Sequence, residues 1–355
     1  MTADSGPAVG AAAPVAIGLI GAGAIGAFHG ESVARRVPGA RLAAIADPAP
    51  GASQRLADEL GGMPSYTDPG ELIGNPNVEA VLIAAPARFH AGLIEAACRA
   101  GKAVFCEKPM AVTLTEADRA IAAARDAGVA LQVGFNRRFD ASFKVAHDLV
   151  AAGAVGVPQL LRSLTRDPGG FDPSRVPPWT IFLETLIHDF DALRYLNPGA
   201  QAVDVYAVAD ALVRPDWKGR GLLDTAVVVV RFDNGAIATA EASFQAVYGY
   251  DIRGEVFGSA GMVTAGDIRR TSATLYGEQG VVADTWKRNI DLFRDAYVTQ
   301  LADFAAVIRT GAAPKVTGED ARAALSIALA AIRSIETGGS VRLDEIERSA
   351  SAGSG

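Results

Sequence analysis

The stretch VAIGLIGAGAIGAFHGESVARRV constrains the fold of this chain more than any other. An apolar run, Val15–Ile20, leads straight into Gly21-Ala22-Gly23-Ala24-Ile25-Gly26, and a helical pattern opens at once behind it. Each glycine of such a G-x-G-x-x-G turn has a physical purpose. Gly21 permits the tight turn, Gly23 lets a phosphate approach the backbone, and Gly26 lets helix and strand pack closely. The helix start, with Ala24 and Ile25, then offers free N–H groups to an anion. The next strand, within ARLAAIAD, ends at Asp47, about twenty residues on, where a carboxylate can bind both hydroxyls of an adenine ribose. Pro48 and Ala49 follow it, with no adjacent Arg or Lys for a 2′-phosphate. NAD is the expected cofactor and NADP the less favoured one.

The same alternation continues down the chain. ASQRLADEL reads as a helix, VEAVLIAAP as a strand, ARFHAGLIEAACRA as a helix and KAVFCEKP as a fourth strand. TEADRAIAAARDAG follows as a helix opened by a Thr115-x-x-Asp118 signature, and VALQVGF is a fifth strand. Short apolar strands alternating with helices predict a parallel sheet covered on both faces. Beyond about Phe135 the texture changes. LLDTAVVVVRFDNGAIATAEASF reads as two strands joined through Asp-Asn-Gly, and YDIRGEVFGSAGMVTAG continues in β character. Two helices, LFRDAYVTQLADFAAVIRTG and TGEDARAALSIALAAIRSIETG, close the chain. The fold class expected is α/β: an N-terminal Rossmann domain (14–135) and a C-terminal α+β domain (136–345) with an open, largely antiparallel sheet. Residues 1–13 read as a disordered lead-in and 346–355 as a flexible tail.

Two further motifs carry chemistry. Glu107-Lys108-Pro109 ends the fourth strand, at the sheet edge where ligands bind. A lysine there can hold a substrate hydroxyl and stabilise negative charge on it, although pairing with Glu107 or pointing to solvent also suits the residues alone. FLETLIHDF sets Glu184 and His188 four apart, so that on an α-helix they share a face and the carboxylate can raise the basicity of the imidazole. A histidine among Ile181, Leu183, Leu186 and Ile187 is equally at home as a satisfied core residue. Asp191 reads as a local cap or partner. Arg137 and Arg138 read as one inward and one outward cation, and Tyr248 and Tyr250 as facing one side. His29 and His90 sit early in helices, where cofactor packing or capping fits them.

Taken together, the glycine turn, AAPARFHAGLIEAACRAGKAVFCEKPMA, QVGFNRRFDASF, IHDFDALRYL, YGYDIRGEVFGSAG and FRDAYVTQLADF resemble the GFO/IDH/MocA oxidoreductases from Val15 to about Leu343. Within that family the texture is similar to inositol dehydrogenases. The resemblance implies Lys108 as a catalytic and substrate-orienting residue that also touches cofactor, and His188 as general acid/base. It implies NAD contacts at Gly21, Gly23, Ala24, Ile25, Gly26, Asp47, Ala84, Ala85, Pro86, His90 and Glu107. It implies substrate contacts at Asn136, Arg137, Asp167 and Tyr250, with Glu184 and His188. The position of Glu184 normally holds an aspartate, and this departure leaves cyclitol, sugar, glycoside and amino-cyclitol substrates all open. A non-catalytic dinucleotide-binding sensor, which the family also contains, is the alternative. The resemblance further implies a homodimer or homotetramer built through the C-terminal sheet.

Composition narrows the rest. A net charge of −7 disfavours a nucleic-acid surface, which needs a basic footprint. Two cysteines, Cys98 and Cys106, lack metal-like spacing, and His29, His90, His147 and His188 form no ligand cluster, so no metal is expected. No apolar run has membrane-spanning length and the first residues lack a basic n-region, so a cytoplasmic protein is expected.

Overall fold

The computed structural model describes residues 13–352 apart from 171, 173, 175, 221 and 279; the remainder of the expected lead-in and the last three residues lie outside the described residues. The first sheet is built from β1 (Val15–Ile20), β2 (Ala40–Ala46), β3 (Ser65–Tyr66), β4 (Ala80–Ile83), β5 (Ala103–Cys106) and β6 (Leu131–Val133). Between them run α1 (Ala24–Arg35), α2 (Ala52–Leu60), α3 (Pro69–Gly74), α4 (His90–Arg99) and α5 (Leu114–Ala127). All pairs are parallel, in the order β3-β2-β1-β4-β5-β6. Strands β1 and β4 are buried along their whole length, as helices on both faces require. Strand order reverses between β1 and β4, and the crevice at such a switch point is where ligands bind. The two-residue β3 was not legible as a strand. The cap of α5 lies two residues earlier than expected: Thr113 and Glu116 form the capping box, and Asp118 instead pairs with Arg322.

A second sheet follows α6 (Ala141–Ala151). Its strands are β7 (Pro158–Arg166), β8 (Ala202–Asp210), β9 (Thr225–Phe232), β10 (Ile237–Ser243), β11 (Asp251–Gly258) and β12 (Gly261–Ala265), with the edge strand β15 (Val341–Arg342). The order is β12-β11-β7-β10-β9-β8-β15. Every neighbouring pair is antiparallel except β7 with β10. The Asp-Asn-Gly turn joins β9 to β10 as a hairpin. A separate ribbon is formed by β13 (Arg269–Gly277) and β14 (Gly280–Thr285). One face of the large sheet carries α7 (Ile187–Tyr195) and α10 (Gly318–Thr337); the other exposes Leu160, Val208, Val227, Ile237 and Phe257.

Late helices return to the first sheet. After α8 (Asn289–Leu292), α9 (Arg294–Thr310) buries Leu301, Phe304 and Ala305 in the same cluster as Val15, Ile17 and Leu19. The N–H of Val133 in β6 donates to the carbonyl of Val316, so the segment before α10 borders the sheet edge. Residues 346–352, expected as part of a tail, belong to α11 (Leu343–Ala352). Ile346 packs on the core there, and Glu347 accepts from Arg322 and Ser326, which holds the helix in place.

Candidate active site

The glycine turn meets the demands that each residue type predicts. Gly21 has φ 103°, in the left-handed region, and a side chain there would strike the Ala84 carbonyl. A Cβ on Gly26 would lie 1.9 Å from the Gly21 oxygen, so helix and strand could not pack. A Cβ on Gly23 would meet nothing within 4 Å, which leaves open space over the start of α1. No side chain caps that helix and its first turn holds no acid. The exposed N–H groups and the open space fit a pyrophosphate. Asp47 follows β2 directly and accepts from the N–H of Ala22 at 2.6 Å and of Ala49 at 2.7 Å, fixing its carboxylate at the rim of the turn.

Beside the switch point a cleft of about 300 Å³ gathers residues from both sheets. Ile25, Ala85, Pro86, His90, Glu107 and Lys108 come from the first sheet and its loops. Asn136, Arg137, Asp167, Glu184, His188 and Tyr250 come from the other side. Of the residues expected at the site, Gly21, Gly23, Ala24, Gly26, Asp47 and Ala84 lie outside this lining, at the adjoining glycine turn and strand ends. His90 caps no helix. Its Nδ1 lies 2.8 Å from the Pro109 carbonyl and its Nε2 2.7 Å from that of Ala85, so it ties together the loops after β4 and β5.

The Glu184–His188 relationship differs from the expectation. Residues Ile181–Leu186 form a π-helix that passes into α7 at Ile187, and the Glu184 side chain turns to Lys108 rather than to His188. The Glu184 carboxylate accepts from Lys108 Nζ at 3.1 Å, and its main-chain carbonyl accepts from the same nitrogen at 2.9 Å. His188 Nδ1 is buried without a partner, and the ring meets the edge of Phe135 at 5.9 Å. Burial first, then the nearby Lys108 and Arg137 charges, hold the imidazole well below its ordinary range. The carboxylate thus does not raise its basicity, and the ring stays neutral at pH 7.

The acids flanking His188 form long-range pairs. Asp189, fully buried, accepts from Arg137 Nη1 at 2.6 Å, Ser163 Oγ at 2.6 Å and Thr165 Oγ1 at 2.7 Å. Asp191 holds Arg138 through two bonds of 2.6 and 2.9 Å, and Asp320 completes that cluster. Both arginines are therefore buried in ion pairs and neither is a solvated cation, because each faces a carboxylate on α7. GFNRRFD and IHDFD are one interlocked unit.

Tyr250 donates to Asp167 Oδ2 at 2.5 Å, at the far wall of the cleft. Burial pushes the Asp167 carboxyl up, and burial together with the Asp167 charge pushes the Tyr250 phenol up, so the phenol stays a donor. Tyr248 does not share that direction. Gly249, at φ 121°, breaks the extended alternation, and Tyr248 donates instead to Asp251.

Two segments of the sequence match described families. Residues 15–135 match the oxidoreductase family with the NAD-binding Rossmann fold, GFO/IDH/MocA, and residues 143–264 match the GFO/IDH/MocA C-terminal domain. The chain is 41% identical to myo-inositol 2-dehydrogenase of Thermotoga maritima, across 93% of this chain and 99% of that one. The chain belongs to the GFO/IDH/MocA family. Another member, the Bacillus subtilis scyllo-inositol 2-dehydrogenase (NAD(+)), is 35% identical across 92% of this chain and 95% of its own. The scyllo-inositol dehydrogenase of Lactobacillus casei, solved with bound NAD(H) and scyllo-inositol, superposes with a TM-score of 0.90 at 26% identity, covering 93% of this chain and 99% of that one. This GFO/IDH/MocA member is an oxidoreductase acting on CH–OH groups, with NAD as its cofactor.

Sequence reasoning missed several residues of the cleft wall: Thr165, Thr185, Asn289, Phe293 and Tyr297. Thr185 lies inside FLETLIHDF and Tyr297 inside FRDAYVTQLADF, but nothing in their local pattern says that α9 returns to the glycine turn.

Proposed function

We propose that this chain is an NAD-dependent cyclitol dehydrogenase, oxidising one secondary ring hydroxyl of an inositol-like polyol. The observation that carries the reading is the meeting of Lys108 and His188 in one cleft beside the glycine turn, with the imidazole held neutral. A neutral imidazole can accept the hydroxyl proton as the carbonyl forms. Lys108 orients that hydroxyl and stabilises the negative charge that grows on its oxygen, more strongly as substrate displaces water. NAD, when bound, supplies the hydride acceptor. The buried pairs Arg137–Asp189 and Arg138–Asp191 hold the His188 helix against the GFNRRFD turn, so the base is fixed before substrate arrives. Asn136, Arg137, Asp167 and Tyr250 line the wall where the other ring hydroxyls would bind, a polar surface suited to a polyol. The inositols named for its relatives agree with that chemistry. Glu184 governs which polyol is taken, because its carboxylate stands on Lys108.

The apolar residues on the open face of the large sheet favour a homodimer or homotetramer built through it, which light scattering would measure. Among the described residues no helix is long and apolar enough to cross a membrane, and Cys98 and Cys106 are both buried and free, in keeping with a reducing cytoplasm.

The test is NADH formation by the purified chain across inositol epimers, hexoses and their glycosides. Turnover with at least one cyclitol is expected. Tight NADH binding with no turnover on any of them would point to a sensor and overturn the proposal.

A further inference from the structure

His29 is a buried titratable side chain that the chemistry above leaves unused. It lies on α1, wholly screened from solvent, with Nε2 2.7 Å from Oε1 of Glu107. Its Nδ1 is buried without a partner, so the ring's polar engagement is with Glu107. The rings of Phe28, Phe105 and Tyr297 enclose it, with centroids at 5.8, 6.1 and 5.6 Å. The ring thus sits in an apolar cage and is held there by one carboxylate.

Glu107 is fixed from several directions. Its Oε2 accepts from the backbone N–H of Lys108 at 3.3 Å. A Cβ on Gly134 would come within 3.1 Å of its carboxyl atoms, a tight contact that would press on the group. Burial alone pushes this carboxyl up, yet His29 above all, with Lys108 and His90, holds it below the usual carboxylate range. An ionised carboxylate only accepts, so His29 Nε2 carries the hydrogen.

Helix α1 begins at the glycine turn and carries His29 less than two turns further on. One rigid element thus offers N–H groups to the pyrophosphate and, through His29, fixes the anion beside Lys108. A carboxylate at that place can accept from the hydroxyls of the ribose on the nicotinamide side. We propose that His29 is a positioning residue: its Nε2–H···Oε1 bond sets the Glu107 carboxylate for that ribose, so that NAD is held at two points by groups tied to α1. This rests on the reading of Glu107 as a cofactor contact.

The experiment is a double-mutant cycle on the full chain with His29→Leu, His29→Gln and Glu107→Gln, reading NADH affinity by fluorescence, separate KM values for NAD and polyol, and thermal unfolding. His29→Leu is expected to weaken NADH binding and raise the NAD KM by about tenfold, the scale of losing a hydrogen bond to a charged group, with the polyol KM little changed. His29→Gln, which keeps a donor, should recover part of the loss. In the Glu107→Gln background, His29→Leu should add nothing further. A lowered unfolding temperature with unchanged NADH affinity would overturn the proposal, as would full additivity with Glu107→Gln. Should His29→Leu fail to fold, the cycle with His29→Gln decides in the same way. Wild-type NADH affinity in Glu107→Gln would remove the reading of Glu107 itself; a weakened Glu107→Gln beside unaffected His29 variants would remove the role of His29 alone.

Discussion

Lys108 Nζ lies 2.9 Å from the main-chain oxygen of Glu184 and 3.1 Å from its carboxylate. The carbonyl bond depends on the backbone and survives any side chain at that position; the carboxylate bond depends on its length. Glu184→Asp should therefore leave the fold and the NAD KM intact while drawing the carboxylate back from Lys108. Relative kcat/KM values across inositol epimers are expected to shift by about tenfold, since ~1 Å of displacement at a reacting centre costs up to about a hundredfold. An unchanged epimer profile would make Glu184 a bystander.

The neutral state of His188 has a direct kinetic signature. Its folded pKa is depressed, so the proton-accepting form persists below the ordinary histidine value of 6.5 and is lost only as pH falls further. The acidic limb of log kcat/KM for polyol oxidation should lie below that value. Lys108→Met removes one of the charges that depress it, so in the slow remaining activity the limb should move to higher pH. His188→Ala should reduce kcat by about a hundredfold or more while NADH still binds.

Arg137 and Asp189 form a pair with almost no solvent contact, so breaking it from one side strands a charge. Asp189→Ala should destabilise the protein by about 3–5 kcal/mol in denaturant unfolding, with activity lost as the His188 helix loosens. Replacing both partners by apolar residues should restore much of the stability and none of the activity. That split would separate the pair's structural part from its part in holding the site.

The glycine turn allows a contrast between two substitutions of identical size. Gly26→Ala places a methyl group 1.9 Å from the Gly21 oxygen and should lower the unfolding temperature sharply. Gly23→Ala meets no protein atom and should fold normally, yet weaken NADH binding, because its methyl enters the space left for the phosphates. Calorimetry and NADH titration on the two variants would read both effects.

Much of this molecule was legible where function depends on local backbone. Gly21 and Gly26 could be read from spacing because steric demand at a strand–helix turn acts between near neighbours. The place of Lys108 in the cleft could be read because a parallel sheet presents its ligands at strand ends. The pairings were not legible: Arg137 meets Asp189 and Arg138 meets Asp191 from more than fifty residues away, and no local rule links them. Glu184 was read beside His188, and its contact with Lys108, 76 residues away in sequence, follows from no local spacing rule. His29 looked like packing because its carboxylate, just past the end of β5, is 78 residues away in sequence.

The return of α9 bears on how the protein is made. A growing chain that has released all of β1 to β6 still lacks Leu301, Phe304 and Ala305, and with them part of the apolar cluster behind β1. Until residues near Thr310 leave the ribosome, that surface of the nucleotide-binding half stays wet. The first sheet to be synthesised thus gains its full cover only after β7 to β12 of the second, and the cleft gains Tyr297 only once α9 has emerged.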